Sequence, residues 1–554
     1  MLKVKHIILV VSVALVAISC SDLLDEEVRS EVGNDRFNTP EGFEEVMNAA
    51  YHQLRQYYGR ERGHGMTEGY GVDIFHEGAD GSHKQWNFYG VQLNASTAWA
   101  QELWDEMYEG INIANTVLNR ADQVEGLDEE TVRLRSAEAR FLRAHFYFIL
   151  VQQYGPVHVT TEETEGVETE ASRAPVSEVF GQIVSDLEQA IDELPAEAAD
   201  YGRATKPAAE HLLARVLLTR ASEFYRDDAG EANDYDRAAV LAETVINDYN
   251  FSLLEDVADV WAVGNERNEE VIWAVQNSED VLLNEIGNES HLYYLTTYDE
   301  MPGMNRTIEY GRPFKRFRPT EYLYDDLLGP DTRDKDSRYD AFFRDVFYVV
   351  NPGTYTVNGV EGVDMAMGDT AIYFPGIEWT EAEKQEKPYT VVTPSDYNPR
   401  DFPPVAKHES PGRPELNTTA GWRDFLAFRL AETHLIAAEA LLLGSGSQQD
   451  AADHINEVRR RAAWPGQEDA MELDPSEVDL NAILEERARE LLAEQFRWYD
   501  LKRTGLLVER AYQYNPEVQR DGLMDEHHQL RPIPQTQIDR TEGASEAFPQ
   551  NPGY

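Results

Sequence analysis

The sequence has almost no cysteine, too few basic residues to balance its acids, and no apolar run long enough for a comfortable membrane span. Cys20 is the only cysteine in 554 residues. No disulfide can therefore form within the chain, and stability has to come from a hydrophobic core. Lysine and arginine number 49 against 102 aspartates and glutamates, a formal net charge of −53. A surface this acidic repels nucleic acid and other polyanions, which excludes nucleic acid as a partner. Catalytic signatures are missing too. There is no His-Glu-x-x-His, no Gly-x-Ser-x-Gly, no Gly-x-x-x-x-Gly-Lys, and no cysteine placed as a nucleophile. Paired glycosidase carboxylates cannot be read from spacing alone, because so many acids supply some pair at every separation.

What is present starts at the N-terminus. Lys3 and Lys5 precede an apolar run, Ile7 to Ile18, broken only by Ser12, and Ala17-Ile18-Ser19 leads into Cys20. That is the layout of a secretory signal peptide over residues 1–19. The run is shorter than the ~20 apolar residues of a spanning helix. A lone cysteine at the end of such a run predicts a bacterial lipoprotein, its thiol acylated and its backbone nitrogen the mature N-terminus. Several acyl chains make that anchor durable. A polar tether, Ser21 to Glu27, follows.

Helical periodicity then dominates. Trp104, Tyr108, Ile111, Asn115 and Leu118 recur at three- and four-residue steps, as do Leu134, Ala137, Phe141, Ala144, Phe148 and Val151 before a stop at Tyr154-Gly155-Pro156. Thr205 with Pro207 marks another start, and Ala238 to Ile246 stripe the next helix. Near the C-terminus one helix is expected over 425–443, a turn over 444–447, and further helices through Ala451–Ala462 and Leu480–Leu492. Paired antiparallel helices with alanine at the crossings resemble tetratricopeptide units, which bury their faces by stacking. Between residues 251 and 422 only Val271–Val275 reads clearly as a strand. The rest is rich in Gly, Pro, Tyr and Asp, and long irregular loops of this kind are usually functional. Glu486, Glu490 and Glu494 are spaced by four with Arg487, Arg489 and Arg497 interleaved. They read as ion pairs that orient helices, each contributing a few tenths of a kcal/mol where exposed.

Several blocks resemble the SusD/RagB family of outer-membrane nutrient-binding lipoproteins. They are Arg140-Phe141-Leu142-Arg143-Ala144-His145-Phe146-Tyr147 leading to Tyr154-Gly155-Pro156-Val157, Phe428 to Glu432 with Ala438-Glu439-Ala440, and Glu486-Arg487 with Arg497 to Arg503. The most specific are Arg531-Pro532-Ile533-Pro534 and the terminal Gln550-Asn551-Pro552-Gly553-Tyr554. One departure is Glu494-Gln495-Phe496, where a glycine is common before the arginine. The resemblance implies a mostly helical protein, a right-handed tetratricopeptide-like scaffold of about four helix pairs with a loop-rich insert carrying short strands. It implies an N-terminal domain over 20–250 and a C-terminal domain over 251–554 with the insert at about 280–422. It further implies binding without catalysis and a TonB-dependent (SusC-like) channel as partner; no cofactor is expected, and whether a calcium ion is bound stays open. The cargo is an oligosaccharide or, as in RagB, a peptide; a surface glycoside hydrolase is the rival from another class. Asp22, Asp25, Glu26 and Glu27 resemble surface-export signals of such lipoproteins.

Sugar binding needs flat apolar faces for C–H surfaces, with amides and carboxylates for hydroxyls. The candidates are Asp73, Trp86, Asn87 and Tyr89 on a glycine-broken loop that resembles the family's ligand-facing loop, and Tyr293, Tyr294, Tyr298 and Tyr310 in the insert. The alternative is that these aromatics pack loops onto the scaffold. Arg306, Arg312, Lys315, Arg316 and Arg318 fall within thirteen residues beside Tyr310, Phe314 and Phe317. Arg312 and its neighbours either recognise an acidic sugar or peptide carboxylate or neutralise Asp325, Asp326 and Asp331. Asp331, Asp334, Asp336 and Asp340 lack the glycine and final glutamate of an EF-hand, so no metal is assigned. Self-repulsion among surface acids is screened by salt, so the thermal midpoint should rise as NaCl is added; a flat or falling midpoint would reject the picture of a solvated acidic surface.

Overall fold

The computed structural model describes residues 34–164 and 166–554. The apolar leader, Cys20 and the acidic tether lie outside the described residues. The scaffold is four helix pairs in chain order: α1 (Pro40–Gln53) with α2 (Ala98–Arg120), α3 (Glu129–Tyr154) with α4 (Val176–Glu193), α5 (Lys206–Ala221) with α6 (Asp234–Asn247), and α7 (Leu430–Leu443) with α8 (Gln448–Arg461). Each packs on the one before it, α7 on α6 included. The stack is therefore continuous through residue 250, although the whole loop-rich stretch intervenes. No described helix is long and apolar enough to cross a membrane.

Local chemistry sets the helix ends. The Thr205 hydroxyl accepts from the Ala208 N–H and Asp128 from the Thr131 N–H, each satisfying a donor the first turn leaves open. Gly155 ends α3 at φ +72°, a left-handed conformation that suits glycine, and Pro156 cannot continue the helix. Buried Ala208, Ala209, Ala214, Ala238, Ala242, Ala437 and Ala438 let the backbones of neighbouring helices approach. Helix α4, which periodicity also marks through Val176, Val179, Phe180, Ile183, Leu187 and Ala190, was not singled out above.

The single helix expected over 425–443 divides in two. β9 (Phe425–Arg429) pairs antiparallel with β2 (Val271–Val275), and α7 begins at Leu430. β2 is buried throughout and needs a partner for its backbone polar groups. Phe425 and Phe428, both aromatic, suit the extended partner. Within the insert, β3 (Phe317–Pro319) pairs with β1 (Phe75–Glu77). A three-stranded sheet of β4 (Val346–Tyr348), β7 (Thr370–Tyr373) and β8 (Thr390–Val391) stands beside a hairpin of β5 (Gly353–Val357) and β6 (Val360–Met365). The proline-bearing tail lies along the scaffold, as its extended path requires. Asn551 Nδ2 donates to the Tyr154 and Arg531 carbonyls at 3.0 and 2.7 Å.

The glutamates read above as ordinary helix-surface pairs are instead fully buried. Helix α9 (Leu480–Glu490) and the turn after it carry Glu486, Glu490 and Glu494 inward, all at 2% exposure or less. Arg338 from the insert donates to Glu486 at 2.5 Å and to Asp336 at 2.7 Å. Arg429 from β9 donates to Glu490 at 2.6 Å, Glu494 at 2.7 Å and Glu270 at 2.8 Å. Arg461 bridges Glu270 and Glu490, both at 2.5 Å, Arg459 reaches Glu486 at 2.6 Å, and Lys407 reaches Glu494 at 2.8 Å. Burial alone would raise the carboxyls of Glu486 and Glu490, but the surrounding arginines outweigh it. They hold Glu486 at about 2 and Glu490 below the ordinary carboxylate range. Glu490→Gln should cost about 3–5 kcal/mol, because it leaves buried guanidinium charge uncompensated; an unchanged denaturant midpoint would show the network adds nothing net. Both carboxyls have folded pKa values below the unfolded value of ~4.3. The stability they contribute is therefore complete above that pH and drains away as pH falls towards 2, which acid titration of the unfolding midpoint checks.

Candidate functional site

The ribbon of β1 and β3 positions the surface of interest. His76 stands opposite Arg318 and Glu77 opposite Phe317, and the pairing continues beyond the strands. The Gly78 N–H donates to the Arg316 carbonyl at 2.8 Å and the Asp80 N–H to that of Lys315 at 3.2 Å. Gly78 has to be small, since a Cβ there would sit 2.2 Å from the Lys315 carbonyl oxygen. The loop over residues 78–83 is thus laid against residues 312–316. Those are held to the scaffold from behind by the Phe314 N–H on the Leu292 carbonyl and the Arg316 N–H on that of Tyr293.

Eight of the nine ligand candidates turn inward. Asp73 is fully buried and accepts from Arg497 at 2.6 and 2.8 Å and from Arg510 at 2.8 Å. Trp86 lies under the Arg531 guanidinium. Asn87 Oδ1 accepts from the Gly71 N–H at 2.9 Å, and the Tyr89 hydroxyl donates to the Gly71 carbonyl at 3.1 Å. The hydroxyls of Tyr293 and Tyr294 donate to Glu289 at 2.8 Å and Glu68 at 3.0 Å. Tyr298 stacks on Phe347 with ring centroids 5.3 Å apart, and Tyr310 takes the Tyr348 N–H. None of these eight presents a face to solvent. They anchor loops, because a loop with little other apolar content is held down by its few large rings.

Arg312 is the exception. It is half-buried, and its guanidinium carbon lies 5.0 Å from the centroid of the half-exposed Phe314 ring. Arg316 approaches the same ring at 5.0 Å. The basic cluster is neutralised, but not by Asp325, Asp326 or Asp331. Arg306 pairs with Asp299 at 2.7 Å, Lys315 with Asp80 at 3.0 Å, Arg316 with Glu61 at 3.0 Å and Arg318 with Glu517 at 2.9 Å. Arg312 makes no ion pair among the described residues. Burial pushes the Glu61 carboxyl up, against the pull of Arg316.

The surface continues past Arg316. Gly81, at φ +112°, lies over the Tyr70 hydroxyl and the Arg316 side chain, which a Cβ would meet at 3.1 and 3.2 Å. The Tyr70 hydroxyl is buried and has no hydrogen-bond partner among the described residues. His83 stacks on Trp99 with centroids 4.1 Å apart. The result is a contiguous face with an aromatic ring, two guanidinium groups, a carboxylate and an imidazole. It offers apolar contact and forked donors together, and an acceptor in Glu61. The sequence signalled the arginines and Phe314 by their local density. Nothing near Glu61 in sequence could have marked it, since its partner is far along the chain. Among the described residues no group of three or more His, Cys, Asp and Glu side chains could hold a metal; Asp336 of the acidic run is bonded to Arg338 instead.

A profile described as the SusD family matches residues 269–554. The chain belongs to the SusD family. A second profile, described as starch-binding and associating with outer membrane, matches residues 22–218. A SusD-like protein of Formosa agariphila is 25% identical across 99% of this chain and 100% of the relative. The starch-binding protein SusD of Bacteroides thetaiotaomicron is 26% identical across 78% of this chain and 75% of its own length. Among solved structures, surface glycan-binding protein A of B. thetaiotaomicron, in complex with laminarihexaose, superposes with a TM-score of 0.68 over 93% of this chain and 99% of its own, at 20% identity. That likeness establishes the fold: a tetratricopeptide-like SusD scaffold.

Two substitutions separate buried anchors from the half-buried Arg312. Asp73→Asn should cost about 3–5 kcal/mol of stability by leaving buried Arg497 and Arg510 short of charge. Arg312→Ala should stay within about 0.5 kcal/mol of the parent, as surface changes do. Thermal melts followed by circular dichroism test both; equal losses would mean Arg312 is a structural residue.

Proposed function

We propose that this SusD-family chain is an outer-membrane lipoprotein that captures oligosaccharides at the cell surface, without cleaving them, and passes them to a TonB-dependent channel. The observation that carries the reading is the half-exposed Phe314 ring with Arg312 and Arg316 beside it. A ring face suits the C–H surface of a pyranose, and a guanidinium fork suits a carboxylate or sulfate on the sugar. The names of its relatives, starch-binding and glycan-binding, support glycan as the cargo class. Cys20 at the end of an apolar leader supports the lipid anchor, and the acids at 22–27 support an outward-facing position. Arg312 also favours one other cargo, a peptide held by its terminal carboxylate.

A soluble form starting at Ser21 distinguishes these. Calorimetric titration with hexagalacturonate should show binding that Arg312→Ala or Phe314→Ala weakens at least about tenfold, the worth of one charged hydrogen bond. No reducing ends should appear on incubation with polysaccharides. Binding of mixed peptides in place of any glycan would transfer the protein to the peptide-receptor class, and release of reducing ends would make it a hydrolase.

A further inference from the structure

A second opening lies beside β3, between the turn Tyr322–Leu327 and the two helices α11 (Leu507–Tyr514) and α12 (Pro516–Asp521), which follow α10 (Arg497–Arg503). It is a cleft of about 340 Å³, lined by Tyr322, Tyr324, Tyr397, Tyr514, Asp325 and Asp326 over an apolar floor of Pro319 and Phe402. The rings are locked against one another. Tyr322 and Tyr514 stack at 3.7 Å, and Tyr324 meets the Tyr397 ring edge-on at 5.0 Å. Arg510 fixes the first pair from behind, donating to the Tyr322 hydroxyl at 2.5 Å. The Tyr397 hydroxyl, shielded from bulk water, has no hydrogen-bond partner among the described residues.

The charge in this cleft is opposite to that around Phe314. Its one arginine, Arg318, is committed to Glu517 at 2.9 Å and to the Glu77 carbonyl. Asp325, Asp326 and nearby Glu321 make no ion pair among the described residues. Carboxylates without cations accept hydrogen bonds from vicinal hydroxyls and repel an acidic sugar. Tyrosines supply both ring faces and hydroxyls at little conformational cost. Arg316 of the Phe314 face and Arg318 of the cleft are two residues apart on one extended strand, about 7 Å, so the two openings flank the same ribbon.

From this lining we propose that the tyrosine cleft is a second carbohydrate site, taking an uncharged pyranose segment, distinct from the arginine-bearing face. It rests on the glycan reading above. The test is calorimetric titration of the mature chain from Ser21 with two probe sets: neutral hexasaccharides (laminarihexaose, maltohexaose, cellohexaose) and hexagalacturonate. Tyr324→Ala removes a ring, and Tyr397→Phe removes only the unpartnered hydroxyl, which guards against a misfolded variant. At least one neutral probe should bind, and both variants should weaken it, Tyr324→Ala by about fivefold or more. Hexagalacturonate affinity should be unchanged in both. The cleft proposal falls if the tyrosine variants leave neutral binding intact, if they weaken both probe sets equally, or if only hexagalacturonate binds. If no oligosaccharide binds the parent chain, the glycan reading itself falls and the cleft with it.

Discussion

The network of paired buried charges around α9 is the constraint on which the rest of the molecule depends. Asp336, Glu270, Glu486, Glu490 and Glu494 face buried Arg338, Arg429, Arg461 and Lys407, and half-buried Arg459 and Arg489 close the set on Glu486. In a chain with a net charge of −53, such a core cannot arise from average composition. The acidic excess belongs to the solvated surface, and within this network every buried carboxylate has a cation within hydrogen-bond reach. Removing ions from water is expensive, and their attraction offsets that cost only when every charge is matched and hydrogen-bonded. Here nearly every member has two or more partners. Any shifted packing of the insert on the stack would strand a charge, so the network selects one arrangement whatever its net contribution to stability.

That selection reaches the surface around Phe314 and Arg312 through the insert. Arg338 and Lys407 come from the loop-rich region, Arg429 from β9, Glu270 from the approach to β2, and the glutamates from α9 and its following turn. The network therefore binds the insert, the small sheet and the fourth helix pair into one body. Tyr293 and Tyr294 extend the hold through Glu289 and Glu68, and the carbonyls of Leu292 and Tyr293 take the N–H groups of Phe314 and Arg316. A ring and a guanidinium supported in this way lose little freedom when a ligand arrives, and preorganisation of this kind is where affinity is gained.

Periodicity and caps made the helix stack legible, because a 3.6-residue stripe and a Thr205 or Gly155 at its end are local signals. β2 was legible for the same reason. β9 was not: Phe425 to Arg429 continues a helical stripe in sequence, and only the need of β2 for a backbone partner makes it extended. The burial of the α9 glutamates was hidden because their partners are scattered from residue 338 to 461. Tyrosines and tryptophans of the loops looked like sugar platforms since sequence does not tell which face of a ring is covered. Gln495 is a subtler case. It lies within Glu494-Gln495-Phe496, the block that departs from the family resemblance, and its φ of +70° is the left-handed conformation that glycine adopts freely and other residues at a cost of about 1–3 kcal/mol. The departure seen in the sequence thus marked a strained turn directly after α9, next to the ion network that can hold it.

The acidity of the chain bears on how an acidic ligand could be captured at Arg312. Long-range steering would oppose the approach of an anionic glycan, yet at physiological ionic strength the field decays within about 8 Å. Inside that distance the local pattern governs, and there Arg312 is the cation without a carboxylate partner among the described residues. Discrimination would then come from short forked hydrogen bonds and ring contact rather than from attraction at a distance. Along a chain such as hexagalacturonate, the carboxylate seated at Arg312 beside Phe314 would supply the affinity, and those beyond the screening length would feel little of the surrounding acids.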